Sequence, residues 1–234
     1  MTASPRFATL QARLQARHGQ RLDPAQWNRL AAVTTLEAFV ARARETTLGG
    51  WLEGVDPNGD VHHLEEMMRE LFLRQVALVA GLTPREWQPA VRWVATLADL
   101  PTARHRHFQG ADHPWMARLE GLEHLETPPI GQDSLTWWLD RWQKLWPKDP
   151  GTKTALTGLI RLAHATQERM ATRGENETFL NAWFELRGTL ELRFRRHAMG
   201  PGALFIHLWL MAMDLHRLRG ELCRRRLFAA ESGP

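Results

Sequence analysis

The chain has 234 residues, 44% of them apolar and 24% charged, with a formal net charge of +4. That length buries a substantial core and that balance excludes a wholly disordered chain. Among 30 basic residues only Lys144, Lys148 and Lys153 are lysines; arginine keeps its charge and offers a fork that fits carboxylates and phosphates, which favours acidic partners, although a GC-rich genome gives the same bias.

Helical spacing recurs from end to end. Phe7, Leu10 and Leu14 begin a helix that stops near Gly19. Asp23 followed by Pro24 reads as an N-cap with proline at the first helical position, opening a short helix through Trp27 and Leu30. Thr34 and Glu37 read as a capping box ahead of Leu36, Phe39 and Val40. Gly49, Gly50, Gly54 and Pro57-Asn58-Gly59 mark a loop, and a long helix with Leu64, Met67, Met68, Leu71, Leu78 and Val79 on one side then runs to Gly81. Thr83-Pro84-Arg85-Glu86 reads as a second capping box, launching Val91, Val94 and Leu97 until Pro101 interrupts.

The periodicity then weakens, with Pro114, Pro128 and Pro129 marking a linker. Ser134 to Trp146 forms a Trp-rich helix whose Leu135, Trp138, Leu139, Trp142 and Trp146 make a broad apolar face, ended by Pro147 to Gly151. Leu156, Leu159, Ile160 and Ala163 mark the next helix, and Phe179, Trp183, Leu186, Leu190 and Phe194 the one after. The apolar run Ala203 to Met213 with Leu215, Leu218 and Leu222 marks the last, kinked or continuous. Sustained period-2 alternation is nowhere found, so the expected fold is all-α, with an N-terminal helical bundle over 1–110, a linker over 111–133 and a C-terminal bundle over 134–234.

Cys223, the only cysteine, excludes an intramolecular disulfide and fits a reducing cytoplasm; beside Leu222 it reads as a packing residue. The first residues, Met1 to Arg17, lack the apolar stretch of a secretory signal, and Ala203 to Met213 is too short to span a bilayer, so the expected protein is not integral to a membrane.

Candidate chemistry fails position by position. Asp56, Asn58 and Asp60 imitate the start of an EF-hand loop, but Val61 and Met67 stand where glycine and a bidentate glutamate are needed. Gly151-Thr152-Lys153-Thr154 lacks the glycine spacing of a phosphate-binding loop. His105, His107 and His113 lack a companion Cys or carboxylate to close a tetrahedral site, and His62-His63 reads as a helix start. Ser4, Ser134 and Ser232 are the only serines and none sits in a nucleophile elbow. No catalytic group, cofactor or metal is therefore expected.

Two features suit binding. One is the arginine cluster near the C-terminus: Arg217 and Arg224 point away from the Leu215/Leu218/Leu222 stripe, Arg219 and Arg226 flank it, and Arg193, Arg195 and Arg196 end the preceding helix, where cations also complement its dipole. Solvated faces are the plain alternative. The other is the Trp138/Trp142/Trp146 face, either core or partner groove. Candidate partner-binding residues are thus Arg193, Arg196, Arg217, Arg219, Arg224, Arg226, Trp138 and Trp142.

The order of these pieces resembles the C/d family of V-type ATPases, the rotor adaptors of C type in bacteria and archaea and of d type in eukaryotes. Phe7 to Arg17 looks like that family's first helix, with Phe7 in place of its tyrosine. Leu36-Glu37-Ala38-Phe39, the helix Val61 to Val79 and the segment Pro89 to Leu100 follow in the family's order. In the last, Asp99 matches an aspartate whose companion asparagine is replaced by Pro101-Thr102. Asp214 to Leu222 looks like the final helix, and Phe184 to Gly188 like a middle repeat. The chain is shorter than typical members. The resemblance implies pseudo-repeated helical bundles forming a socket or partial funnel. It also implies a non-catalytic role, coupling the membrane proteolipid ring to the central shaft, peripheral at the inner, cytoplasmic face of the membrane. A helical scaffold or assembly protein of another membrane complex is a second expectation. An arginine-rich nucleic-acid binder is a third, disfavoured because the arginines are spread around their helices.

Overall fold

A computed structural model describes residues 5–56, 59–100, 128–129, 132–148, 150–172, 176–197 and 200–228. All regular structure among them is helical: α1 (Pro5–Gly19), α2 (Pro24–Ala31), α3 (Leu36–Arg44), α4 (Val61–Leu82), α5 (Gln88–Trp93), α6 (Ser134–Lys144), α7 (Pro150–Thr172), α8 (Asn176–Arg196) and α9 (Pro201–Phe228). Short 3-10 turns at Gly49–Trp51, Arg85–Trp87 and Val94–Asp99 complete it. Most of the expected linker, and His105, His107 and His113, lie outside the described residues.

Local chemistry sets the helix ends. At α2 the Asp23 carboxylate accepts the Gln26 N–H at 2.7 Å and the Gln26 side chain accepts the Asp23 N–H at 2.8 Å, a reciprocal capping box with Pro24 behind it. The cap of α3 is one residue later than spacing suggests: Thr35, not Thr34, accepts the Ala38 N–H at 3.3 Å, and Glu37 falls in the first turn, where its charge suits the dipole. Asp60 caps α4 by accepting the His63 N–H at 2.7 Å. α4 runs through Gly81 to Leu82. The expected box at Thr83 does not form, because the Thr83 hydroxyl turns backward and donates to the Val79 carbonyl at 2.7 Å, closing α4 instead of opening a helix. Gly54, the one glycine with positive φ (77°) among the described residues, turns the chain between α3 and α4.

Helix α9 organises the molecule. It is one continuous helix and, at 28 residues, roughly 42 Å long at 1.5 Å per residue. Its first half, Gly202 to Met211, is buried on every side, a pattern proper to a central helix rather than a surface one. It packs against α8, α4, α1 and α7. α4, which meets it, buries Leu64, Met68, Phe72, Val76 and Ala80, a stripe at four-residue spacing. Leu78, expected on that side, is 54% exposed.

One buried cluster extends from Phe7 through the Trp residues of α6 to Leu222. That cluster contains residues of both expected bundles, 1–110 and 134–234, and α9 packs against helices of each. The tryptophans form a layer within it. Trp142 meets Phe205 edge-on at 4.8 Å, Trp146 at 5.0 Å and Trp209 at 5.7 Å, and Trp138 stacks on Trp142 at 5.8 Å. Trp138 Nε1 donates to Thr96 Oγ1 at 2.7 Å, and Trp93 Nε1 donates to the Trp138 carbonyl at 3.2 Å, which ties α6 to the turn after α5.

Candidate functional site

The eight expected partner-binding residues divide sharply. Trp138 and Trp142 are fully buried in the layer just described, so the open reading of that face resolves to core and these two are corrected to packing residues. Three arginines are engaged inside the molecule. Arg193, on α8, donates to the Gly158 carbonyl of α7 at 2.8 Å. Arg219 pairs with Glu65 and joins α9 to α4. Arg217, expected to point away from the buried stripe, lies over the Trp27 ring at 4.6 Å and near the Phe184 ring at 5.5 Å, and burial lowers its pKa. Arg196, Arg224 and Arg226 are exposed, Arg224 with a contact to Glu221 at 3.1 Å on its own helix.

Spacing had hidden the more consequential charges. Arg187 and Asp214 are buried and paired across α8 and α9. Arg187 also reaches Glu191 at 3.1 Å and donates to the Leu22 carbonyl at 3.2 Å. The other Asp214 oxygen accepts from Arg21 Nε at 2.8 Å, while Arg21 Nη2 donates to the Leu210 carbonyl at 3.0 Å. One carboxylate thus holds two guanidiniums and pins the α1–α2 turn to the middle of the bundle. Burial lowers the pKa of Arg21, and Asp214 acts against that shift. A signal was present: Arg187 stands four residues from Trp183 and three from Leu190, on the apolar stripe, and Asp214 stands four before Leu218.

Two further clusters follow the same logic. Arg225, 3% exposed, donates to the carbonyls of Val33 at 2.6 Å and Ala31 at 3.0 Å, contacts Glu221 at 2.5 Å and lies 4.1 Å from the Phe39 ring centroid. It closes the C-terminal end of α2. Arg69 on α4 pairs with Asp99 at 2.5 Å. Burial raises the Asp99 pKa, and the bond from Arg69 only partly offsets that.

A cleft of about 270 Å3 opens beside the Arg21–Asp214 pair, between the α1–α2 turn, the Thr47–Trp51 loop, α4 and α9. His207 of α9 lines it, 4% exposed, with no hydrogen-bond partner for Nδ1; Arg21 Nη1 likewise has none. Burial, with Arg21, His18 and Arg17 adding, pushes the His207 pKa down to about 3.

The sites imitated in the sequence take structural roles. Asp60 is a helix cap, His62 and His63 occupy the first turn of α4, and Gly151 to Thr154 lie in the first turns of α7. No group of three metal-ligating side chains occurs among the described residues, and no helix among them is long and apolar enough to cross a membrane. Comparison with protein-family models, curated proteins and solved structures finds no match.

Proposed function

We propose that this chain is a non-catalytic rotor adaptor of the V-type ATPase C/d type, joining the membrane proteolipid ring to the central shaft. In this role it works at the cytoplasmic face of the membrane, held there by its partners in the complex. The observation that carries the reading is how the resembling segments meet. Phe7 to Arg17 in α1, Val61 to Val79 in α4, Pro89 to Leu100 around α5, and Asp214 to Leu222 in α9 pack on one another in a single core. Residues that resemble the family thus contribute to the core together with α6 and the first half of α9, and Asp99 is held there by Arg69.

Stiffness supports the role. A coupling element must resist deformation, and long helices cross-tied by Arg187–Asp214, Arg219–Glu65 and Arg225 do so. Arg196, Arg224 and Arg226 then supply charge-assisted contacts to an acidic partner surface. Leu227 and Phe228, 60% and 58% exposed at the end of α9, and Leu192, 48% exposed on α8, add apolar area near them in sequence.

The test is co-purification from native membranes. Recovery of the proteolipid ring or of the shaft is expected; a monomer without partners at low salt would sink the reading. Arg196→Glu, Arg224→Glu and Arg226→Glu together should keep the helical circular dichroism and lose partner capture by at least about tenfold, since exposed interfacial charges contribute little to folding but set complementarity. A second reading, a scaffold or assembly protein of another membrane complex, rests on the same exposed arginines and the apolar tip of α9. Capture of a membrane complex that lacks proteolipid would select it.

A further inference from the structure

We propose that the cleft between the α1–α2 turn and the Thr47–Trp51 loop binds a phosphate group, held by Arg21 and His207 inside and Arg17 at the rim. Its volume of about 270 Å3 exceeds that of one phosphate and admits a small phosphorylated molecule or a lipid headgroup.

Two residues that line the cleft carry polar atoms that have no partner and are shielded from water. Arg21 is largely buried and held by Asp214 and the Leu210 carbonyl through Nε and Nη2, yet Nη1 has no partner. Buried polar atoms without partners are rare, because each costs the hydration it lost. His207 adds a second such atom, from α9. Arg17 and Gln20, both exposed, stand at the mouth, and Gln75 of α4 completes the polar lining.

Charge favours an anion. Asp214 is the only carboxylate among the described residues that line the cleft, and both its oxygens are occupied, one by Arg187 and one by Arg21. Arg187 is further matched by Glu191. Arg17 and Arg21 therefore leave the cleft net positive. With its low pKa His207 is neutral at physiological pH, and a neutral imidazole serves an anion as hydrogen-bond donor without adding a buried charge. A cation would meet two guanidiniums, and an apolar ligand would strand the same polar atoms. A tetrahedral oxyanion reaching Arg21 Nη1 and His207 from the cleft would satisfy both, with Arg17 closing over it.

The site stands independently of the adaptor reading. The experiment titrates the full chain with inorganic phosphate, then with glycerol 3-phosphate, against chloride at equal ionic strength. The midpoint of thermal unfolding and the imidazole resonances of His207 are followed. Millimolar phosphate should raise the midpoint and shift the His207 resonances, and Arg17→Ala should weaken both about tenfold while leaving the unliganded midpoint unchanged. Arg21→Ala removes part of the fold as well, so Arg17→Ala and His207→Asn are the deciding variants. A third arm uses vesicles containing phosphatidate: co-sedimentation lost in Arg17→Ala assigns the phosphate to a lipid headgroup, and its absence alongside phosphate binding assigns a free metabolite. No midpoint change and no His207 shift beyond the chloride control overturns the site, whatever partners the protein captures.

Discussion

Asp214 carries an unusual share of the interior electrostatics, since its two oxygens neutralise Arg21 and Arg187 in a place where water does not. A buried pair is no sure source of net stability, but breaking one side of it strands charge in a low-dielectric interior. Asp214→Ala should therefore cost on the order of 3–5 kcal/mol in urea unfolding; a loss under about 1 kcal/mol would show that the guanidiniums find water or another partner. His207 gives a second, opposite kind of residue-scale effect. Its folded pKa of about 3 lies below the ordinary histidine value of 6.5, so the unfolded chain binds the proton more readily. The stabilisation is complete above pH 6.5 and falls as pH drops from 6.5 toward 3, by up to about 1.4 kcal/mol per pH unit. Urea midpoints measured across that window should decline with acid, and His207→Gln should flatten the decline. Burial lowers the pKa of His18 as well, which steepens the same slope in both proteins.

At the scale of the element, α6 is held by what its indoles touch. Trp142 packs on Phe205, Trp146 and Trp209 from three sides, so Trp142→Ala opens a large cavity and should lower stability by about 3–5 kcal/mol. The change is to be read by chemical denaturation with circular dichroism, because removing a tryptophan alters the fluorescence signal itself. A loss near 1 kcal/mol would mean that α6 moves inward to close the space. Helix α6 was legible in the sequence because its apolar face is broad, whereas its neighbours were harder. Thr83 carried a convincing N-cap pattern, yet threonine hydroxyls serve either end of a helix, and only the backbone decides which carbonyl or N–H lies within reach. Thr34 and Thr35 are adjacent and equivalent by composition, so a one-residue error at α3 was built into the spacing. The length of α9 was open for a different reason: an apolar run followed by an amphipathic one reads equally as two helices or as one that leaves the core partway along.

For the whole molecule, fold class followed from periodicity, since every described element is helical. The organisation did not, because contacts such as Arg225 to Val33 join residues 192 positions apart and have no local signature. Charged residues on apolar stripes were the missing clue. Arg187, Asp214 and Arg225 each sit in register with leucines or aromatics, where a solvated residue would be out of place. Of the expected binding residues, Arg224 points outward as its spacing indicated and Arg196 and Arg226 are exposed as well, while Arg193, Arg217 and Arg219 tie helices together. Arginine count alone could not separate these roles, as one side chain can solvate itself at a surface or cap carbonyls in an interior.

An unbroken α9 makes a lever of the protein. Its outer end bears Leu227 and Phe228, the turn before them grips the carbonyls of Ala31 and Val33 through Arg225, and its inner half carries Asp214 and His207 beside the cleft. Its hydrogen-bonded ladder runs without interruption from that tip to the cleft wall. A load on Phe228 is thus carried by the same helix that bears Asp214 and His207.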